Sequence, residues 1–309
     1  MSSSLQVRVH AFAKLNLDLR VLYKRPDNFH ELRSVFQTIS LADEITIRFS
    51  RSRRTEITIS GSIDIPDNLI VKAARLCLDE MKVTAKIEFH LDKRIPMGAG
   101  LGGGSSDAAA VMLSLPTLAR KRIPTGRLMA LCANLGSDVP FFLLGGTAAA
   151  LGRGEELYPL PDLKCDNVLL ISPGVHVSTA DAYRALSATL TPESVSAKQT
   201  QFQSALWSGN VSSGVNDFET VVFSQHPELA SFRKKLLKAG ASVAMMTGSG
   251  SSLFGIFPDR GRLEAASPLF RSTRTDWVRF VNRPAYRRAW TRRLTTNPLQ
   301  NKLVNSSSN

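Results

Sequence analysis

The chain has 309 residues, 43% of them hydrophobic, and 39 Lys/Arg against 26 Asp/Glu give a formal net charge of +13. That is enough apolar material for one large core or two moderate ones, whereas the longest apolar run, Val139 to Gly152, is too short and glycine-rich to span a bilayer. Cys77, Cys132 and Cys165 form no C-x-x-C pair and the five histidines are isolated, which argues against a disulfide framework and a structural zinc site.

Met1 to Ser4 lacks the charged and apolar regions of a signal peptide, so a cytoplasmic protein is expected. From Val7 to Val21 every odd position is apolar, while the even ones include Arg8, His10, Lys14, Asn16, Asp18 and Arg20. This pattern predicts a half-buried strand whose period of two puts Lys14 and Asn16 on one face. A strand lysine is usually solvated; paired with Asn16, its ammonium could instead stabilise charge on a reacting oxygen while the amide fixes an alcohol. The turn Arg25-Pro26-Asp27-Asn28 leads into Phe29-His30-Glu31, which reads either as a hydrophobic anchor or as a base-stacking platform. Strands follow at Glu44 to Phe49 and Glu56 to Ser60, then a helix at Asn68 to Met81 with Asp67 placed to cap it after Pro66, and a strand at Ala85 to Leu91.

Next comes Pro96-Met97-Gly98-Ala99-Gly100-Leu101-Gly102-Gly103-Gly104-Ser105-Ser106-Asp107, with five glycines in seven residues. It opens into an apolar helix from Asp107 to Leu115 that Pro116 is expected to cut short. Without Cβ atoms the backbone N–H groups can approach an anion closely, and the positive end of the helix adds attraction. The other reading is a flexible connector. Gly98-x-Gly100-x-x-Gly103 also fits the dinucleotide fingerprint by its letters, but Arg120-Lys121-Arg122 stands where a ribose-binding acid belongs, leaving only an NADP variant open. The P-loop lysine and the protein-kinase signatures are absent. A phosphate cradle of another kind remains, with the hydroxyls of Ser105 and Ser106 in reach of phosphate or Mg²⁺.

A helix from Thr125 to Leu135 is closed by Gly136, and Asp138 follows in Leu135-Gly136-Ser137-Asp138-Val139-Pro140. Aspartate two residues before proline is an ordinary N-cap; it is equally the carboxylate that could deprotonate an alcohol as the γ-phosphoryl group leaves ATP. After a strand at Thr147 to Leu151, the proline-rich stretch Tyr158 to Asp166 marks a boundary. Domains are therefore expected at 1–160 and 161–288, with a basic, polar tail at 289–309. The second half reads as strand Val168 to Ser172, helix Thr179 to Leu186, a Ser/Gln-rich insertion from Thr189 to Gly214, and helix Pro227 to Lys238. Strands Ser242 to Thr247 and Leu253 to Phe257 flank Gly248-Ser249-Gly250-Ser251-Ser252, a second glycine turn able to face the first. Trp277 to Asn282 reads as a strand and Arg283 to Leu294 as a helix. Arg271 to Lys302 holds nine Lys/Arg against the single Asp276, a concentration that suits a solvated helical face better than anion steering toward the site or a weak RNA contact, for which no aromatic-interleaved motif is present.

The Lys14 strand, the Pro96 to Asp107 loop and the Thr247 to Ser252 turn together resemble the GHMP small-molecule kinases. Ala13-Lys14-Leu15-Asn16-Leu17, Lys24-Arg25-Pro26-Asp27-Asn28-Phe29-His30-Glu31-Leu32, Asp67-Asn68-Leu69-Ile70, Leu135 to Pro140 and Pro173-Gly174-Val175 narrow the resemblance. They look like the motifs of those members that act on a cytidine-diphosphate-linked methylerythritol in the non-mevalonate route to isoprenoids. The resemblance covers about residues 5 to 290. It implies an α+β fold in the two-domain GHMP kinase architecture, with the active site in the interdomain cleft. It further implies ATP-dependent phosphorylation of the 2-hydroxyl of 4-diphosphocytidyl-2-C-methyl-D-erythritol, with Mg²⁺. Carried over, Asp138 would be the base and Lys14 its electrostatic partner. Asn16 would hold the methylerythritol, Phe29 and Tyr183 would sandwich the cytosine, and His30 would contact its edge. Asn68 and Lys93 would lie near the adenine, and Gly98 to Ser106 would hold the triphosphate, with Pro96 and Met97 leading in. Two positions depart from the pattern: Phe29 stands where tyrosine is usual, and Asp18 where an aromatic or aliphatic residue is usual. The implied partner is a small molecule, not a membrane or a nucleic acid. The sequence names no acidic ligand for Mg²⁺ and no oligomeric state.

Overall fold

The computed structural model describes residues 4–63, 65–210 and 214–295. Its spine is one long antiparallel hairpin, β1 (Leu5–Lys24) and β2 (His30–Arg51). The sequence shows β2 only at its far end because residues 30–43 break the apolar alternation. Bulges between Phe12 and Lys14, Asn16 and Asp18, and Val21 and Tyr23 bend β1 along its length. Only the first part of β1 is half-buried as expected. From Ala13 to Leu22 every residue is buried, because a second lobe closes over the other face and supplies partners for Asn16, Asp18 and Arg20.

β3 (Glu56–Gly61) is followed by α1 (Leu69–Met81) and β4 (Ala85–Asp92). The cap of α1 is Asn68, whose Oδ1 accepts the Ile70 N–H at 3.0 Å, and not Asp67. Asp67 sits one residue too early, at φ +53 with its carboxylate exposed. α2 (Gly103–Ala119) starts inside the glycine run, four residues before the expected Asp107, and passes through Pro116. Proline removes one backbone donor there, while burial of Leu115, Leu118 and Ala119 around it carries the helix to its end at Arg120. α3 (Thr125–Leu135), the short α4 (Phe141–Leu144), β5 (Thr147–Leu151) and β6 (Glu156–Pro159) complete the sheet, ordered β3-β4-β2-β5-β6 with β1 paired to β2. A mostly antiparallel sheet of this kind is not the parallel dinucleotide-binding fold.

The second lobe comprises β7 (Val168–Ser172), α5 (Thr179–Ser187), α6 (Pro192–Ser208), α7 (Phe218–Gln225), α8 (Pro227–Lys238), β8 (Val243–Met246), β9 (Leu253–Ile256), α9 (Arg260–Ala266) and β10 (Arg274–Val278). Its antiparallel sheet runs β10-β7-β9-β8. The Ser/Gln-rich insertion is helix α6, opened by a capping box between Thr191 and Ser194 with Pro192 in the first turn. Phe202 alone of its side chains is fully buried, so the segment carries almost no amphipathic signal. α6 is tied to β1 by polar bonds instead. Asp18 accepts from Arg20 Nε and Nη2 at 2.9 and 3.1 Å, Arg20 Nη1 donates to Gln201 Oε1 at 2.6 Å, and Lys198 donates to the Val21 carbonyl at 3.0 Å. Burial raises the Asp18 carboxyl above its ordinary value against the pull of Arg20, which is what an aspartate costs where an apolar residue is usual.

The last element, α10 (Arg283–Thr295), crosses back to the first lobe. It was expected as a solvated face, yet Tyr286 and Trp290 are buried in the first core with Phe141, Phe142 and Ala148, and the Tyr286 hydroxyl donates to the Phe142 carbonyl. α10 also runs through residue 289, the expected start of the tail; residues 296–309 of that tail lie outside the described residues. Between the lobes a separate apolar cluster joins Leu15, Leu17, Ile39 and Leu101 to Leu170 and Phe254.

Candidate active site

The two glycine turns meet, as their sequences suggest. Gly100 adopts φ +76, and a Cβ on it would lie 2.1 Å from the Thr247 carbonyl oxygen, so no other residue fits. Thr247 Oγ1 donates to the Gly100 carbonyl at 3.3 Å, and the Ser252 N–H reaches the Ala99 carbonyl at 3.3 Å. The loop then enters α2, whose N-cap is Gly102 with no side-chain cap bond. Its first amides are therefore left for an anion.

β1 brings Lys14 to this loop. Its backbone N–H bonds the Leu101 carbonyl at 3.0 Å, and its buried ammonium stands 3.4 Å from Asp138 Oδ2 and 4.7 Å above the Phe36 ring. Asp138 is one-third exposed, and α4 begins after it with Pro140 as N-cap and no side-chain cap bond. Among the described residues Asp138 thus caps no helix, and its carboxylate faces the cleft beside Lys14. Asn16 joins three segments: its Oδ1 accepts from Lys14 Nζ at 2.7 Å and from the Gly248 N–H at 3.0 Å, and its Nδ2 donates to Ser34 Oγ at 2.8 Å.

A cleft of about 890 Å³ gathers Lys14, Asn16, Phe29, His30, Asp138 and Tyr183. A second cavity, about 410 Å³, is lined by Asn68, Lys93 and the loop from Pro96 to Ser105. Gly98, Gly100, Gly102 and Ser105 line both, so a molecule in one space can hand a group to a molecule in the other across the glycine turn.

The aromatic end of the cleft differs from the expected sandwich. Tyr183 stacks on His30, with centroids 4.7 Å apart and planes 18° apart, and Phe218 meets Tyr183 edge-on at 4.8 Å. Phe29 is half exposed, with the Arg153 guanidinium 4.7 Å over its ring. One face of Tyr183 is thus taken by His30, because Ser187 Oγ holds His30 Nε2 at 2.5 Å while donating to the Tyr183 carbonyl. Burial, and after it Lys24, holds His30 below the ordinary imidazole value; burial, and after it Asp138, raises the Tyr183 phenol.

Lys93 is held by other groups of the protein. It borders the second cavity, but its buried ammonium is committed to the carboxylates of Asp43 and, at 2.9 Å, Asp107. Burial pushes the Asp107 carboxyl up to about 7 against the pull of Lys93. Asp107 Oδ1 and Ser106 Oγ are buried without a hydrogen-bond partner among the described residues. Asp43 and Thr247 bond to the glycine loop or to the residues leading into it, and the sequence reading did not single them out. The one signal for Asp43 was a charge after Ala42, just before the strand expected from Glu44.

Two lobes joined by facing glycine turns, with a Lys–Asp pair between them, define a small-molecule kinase of the GHMP type. Residues 68–146 match the model of the GHMP kinases N terminal domain, and residues 205–268 that of the GHMP kinases C terminal domain. The chain is 51% identical over 306 residues to 4-diphosphocytidyl-2-C-methyl-D-erythritol kinase of Solibacter usitatus (strain Ellin6076), covering 97% of each chain. It is 42% identical over 257 residues to the kinase of the same name from Pelobacter propionicus (strain DSM 2379 / NBRC 103807 / OttBd1), covering 82% of this chain and 90% of that one. A crystal structure of 4-(cytidine 5'-diphospho)-2C-methyl-D-erythritol kinase matches with a TM-score of 0.73 at 35% identity, over 89% of this chain and 99% of the other. The chain belongs to the 4-diphosphocytidyl-2-C-methyl-D-erythritol kinase family. Homoserine kinase from Cytophaga hutchinsonii, at 19% identity and a TM-score of 0.69 over 91% of this chain and 96% of that one, shares the fold.

Proposed function

We infer that the chain transfers the γ-phosphoryl group of ATP to the 2-hydroxyl of 4-diphosphocytidyl-2-C-methyl-D-erythritol, a step toward isoprenoid precursors outside the mevalonate route. The observation that carries this reading is the Lys14–Asp138 pair, 3.4 Å apart, in the larger cleft that shares the glycine loop with the second cavity. The Asp138 carboxylate takes the hydroxyl proton as the oxygen attacks, a contribution of about 10² to 10⁴ in rate. The Lys14 ammonium, desolvated and aimed by Asn16, stabilises charge on the acceptor oxygen and the passing phosphoryl group. The Asn16 amide nitrogen keeps one hydrogen beyond its bond to Ser34, and that hydrogen suits the methylerythritol.

The triphosphate lies against the amides from Gly98 to Ser106, and the adenine lies in the second cavity. There Asn68 has spent its carbonyl on the helix cap and offers its amide N–H groups, while Lys93 borders the cavity with its ammonium held by Asp43 and Asp107. The cytosine lies among Phe29, His30 and Tyr183. Residues 1–160 supply the nucleotide side and residues 161–288 supply Tyr183 and the second glycine turn. Among the described residues no cluster of three His, Cys, Asp or Glu could hold a metal ion; the buried Ser106 hydroxyl, without a hydrogen-bond partner among the described residues, is the group at the start of α2 that would hold a Mg²⁺. Bound there, Mg²⁺ would offset charge on the β- and γ-oxygens. No helix among the described residues is long and apolar enough to cross a membrane; the proposed setting is the cytoplasm and the proposed partner a small molecule. A coupled assay of ADP release tests the assignment: the cytidine-diphosphate methylerythritol supports turnover, and turnover on mevalonate or homoserine instead would reject it.

A further inference from the structure

Asp43 lies in β2, fully buried, and takes hydrogen bonds from three consecutive residues that lead into the glycine loop. Its Oδ1 accepts the Arg94 N–H at 2.6 Å and the Ile95 N–H at 2.7 Å, and its Oδ2 accepts the Lys93 ammonium. The same ammonium reaches Asp107 Oδ2 at 2.9 Å, in α2 just beyond the loop. One cation therefore joins the chain before the loop to the chain after it, and Asp43 anchors both to the sheet. Between these points Gly98, Gly100 and Gly102 all take positive φ, a stretch whose own side chains do little to hold its shape. The first residue of α2 rests directly on the clamp, since a Cβ on Gly103 would come within 2.9 Å of Lys93 Nζ. With the Lys93 side chain 5% exposed, water competes little for these bonds.

We propose that Asp43, acting through Lys93 and Asp107, is a positioning residue that presets the phosphate loop for the triphosphate of ATP. This rests on the reading of Pro96 to Ser106 as the ATP cradle. A loop already held in its binding shape does not have to be ordered by the ligand, so ATP keeps more of its contact energy as affinity. Phe29, His30 and Tyr183 stand in the larger cleft, which neither Asp43 nor Lys93 borders and which meets the loop only at Gly98, Gly100, Gly102 and Ser105, so the cytidine substrate should register the loss far less than ATP.

The test compares the full-length protein with Asp43→Asn by titration calorimetry, using a non-hydrolysable ATP analogue and, separately, the cytidine-diphosphate substrate, followed by steady-state kinetics. Asparagine keeps an acceptor for the Arg94 and Ile95 amides but removes the charge facing Lys93. The Kd for the analogue and the KM for ATP should rise about tenfold to a hundredfold. The Kd for the cytidine substrate, and kcat at saturating ATP, should stay within about twofold. Unchanged ATP affinity, equal weakening of both ligands, or a fall in kcat alone overturns the proposal. Should Asp43→Asn not fold, Asp107→Ala, which cuts the link beyond the loop and leaves a neutral Asp43–Lys93 pair, should show the same split. Failure of both to fold makes the cluster a folding element and overturns the positioning role. A wild-type protein that binds no ATP analogue overturns the cradle reading itself, a result separate from any behaviour of the variants.

Discussion

Lys14 and Asp138 come from strands and turns 124 positions apart in the chain, and each had an ordinary structural alternative. The period of two along β1 was enough to put Lys14 beside Asn16. What favours the proposed roles is the surroundings: Lys14 is buried against Phe36 and Asn16, and Asp138 caps no helix and is turned toward the cleft. Asp138→Asn should bind ATP and the cytidine substrate with unchanged Kd while kcat falls about 10² to 10⁴-fold in the coupled assay; near-normal turnover would leave Asp138 no part in proton transfer. Asp43 was illegible for the opposite reason. Its partners Lys93, Arg94 and Ile95 lie about fifty residues downstream, and no local pattern announces a carboxylate whose only task is to meet them.

At the scale of elements, the segments with a strong local pattern read true: α3, α8, β5 and β7 end where their caps, prolines and apolar runs say. Those held by tertiary contacts did not. The near half of β2 loses its alternation because both of its faces are covered, and α6 is docked by Arg20 and Lys198 rather than by an apolar stripe. The aromatic end of the cleft belongs to the same class, since β2, α5 and α7 each contribute one ring to the row His30, Tyr183 and Phe218. Phe29, half exposed at the mouth of the hairpin with Arg153 over one face, keeps its other face for a base. Its replacement by alanine should raise the KM for the cytidine substrate about fivefold to a hundredfold, the value of one stacked base. The KM for ATP should not move. If both rise together, Phe29 is an anchor of the hairpin and not a base platform.

Over the whole molecule, the two lobes share an apolar cluster around Leu15, Leu17 and Leu170, and α10 packs the far end of the described chain into the first core. The excess of arginine toward that end concealed this in the sequence, because a run of positive charge reads as a solvated face until Tyr286 and Trp290 are seen beneath it. Tyr286→Ala should destabilise the protein by about 3 to 5 kcal/mol in urea unfolding, the range for emptying a buried aromatic site. A loss below about 1 kcal/mol would mean that α10 only lies on the surface.

Domains made first on the ribosome generally fold first, but here the opening half of the polypeptide lacks its closing wedge until α10 has been synthesised. The nascent nucleotide lobe must wait, with the seat of Tyr286 beside Phe12 and Phe142 still open, while the entire second lobe emerges between its two pieces. Translation halted before residue 283 would release a chain that has every group proposed to touch ATP and no finished scaffold to hold them.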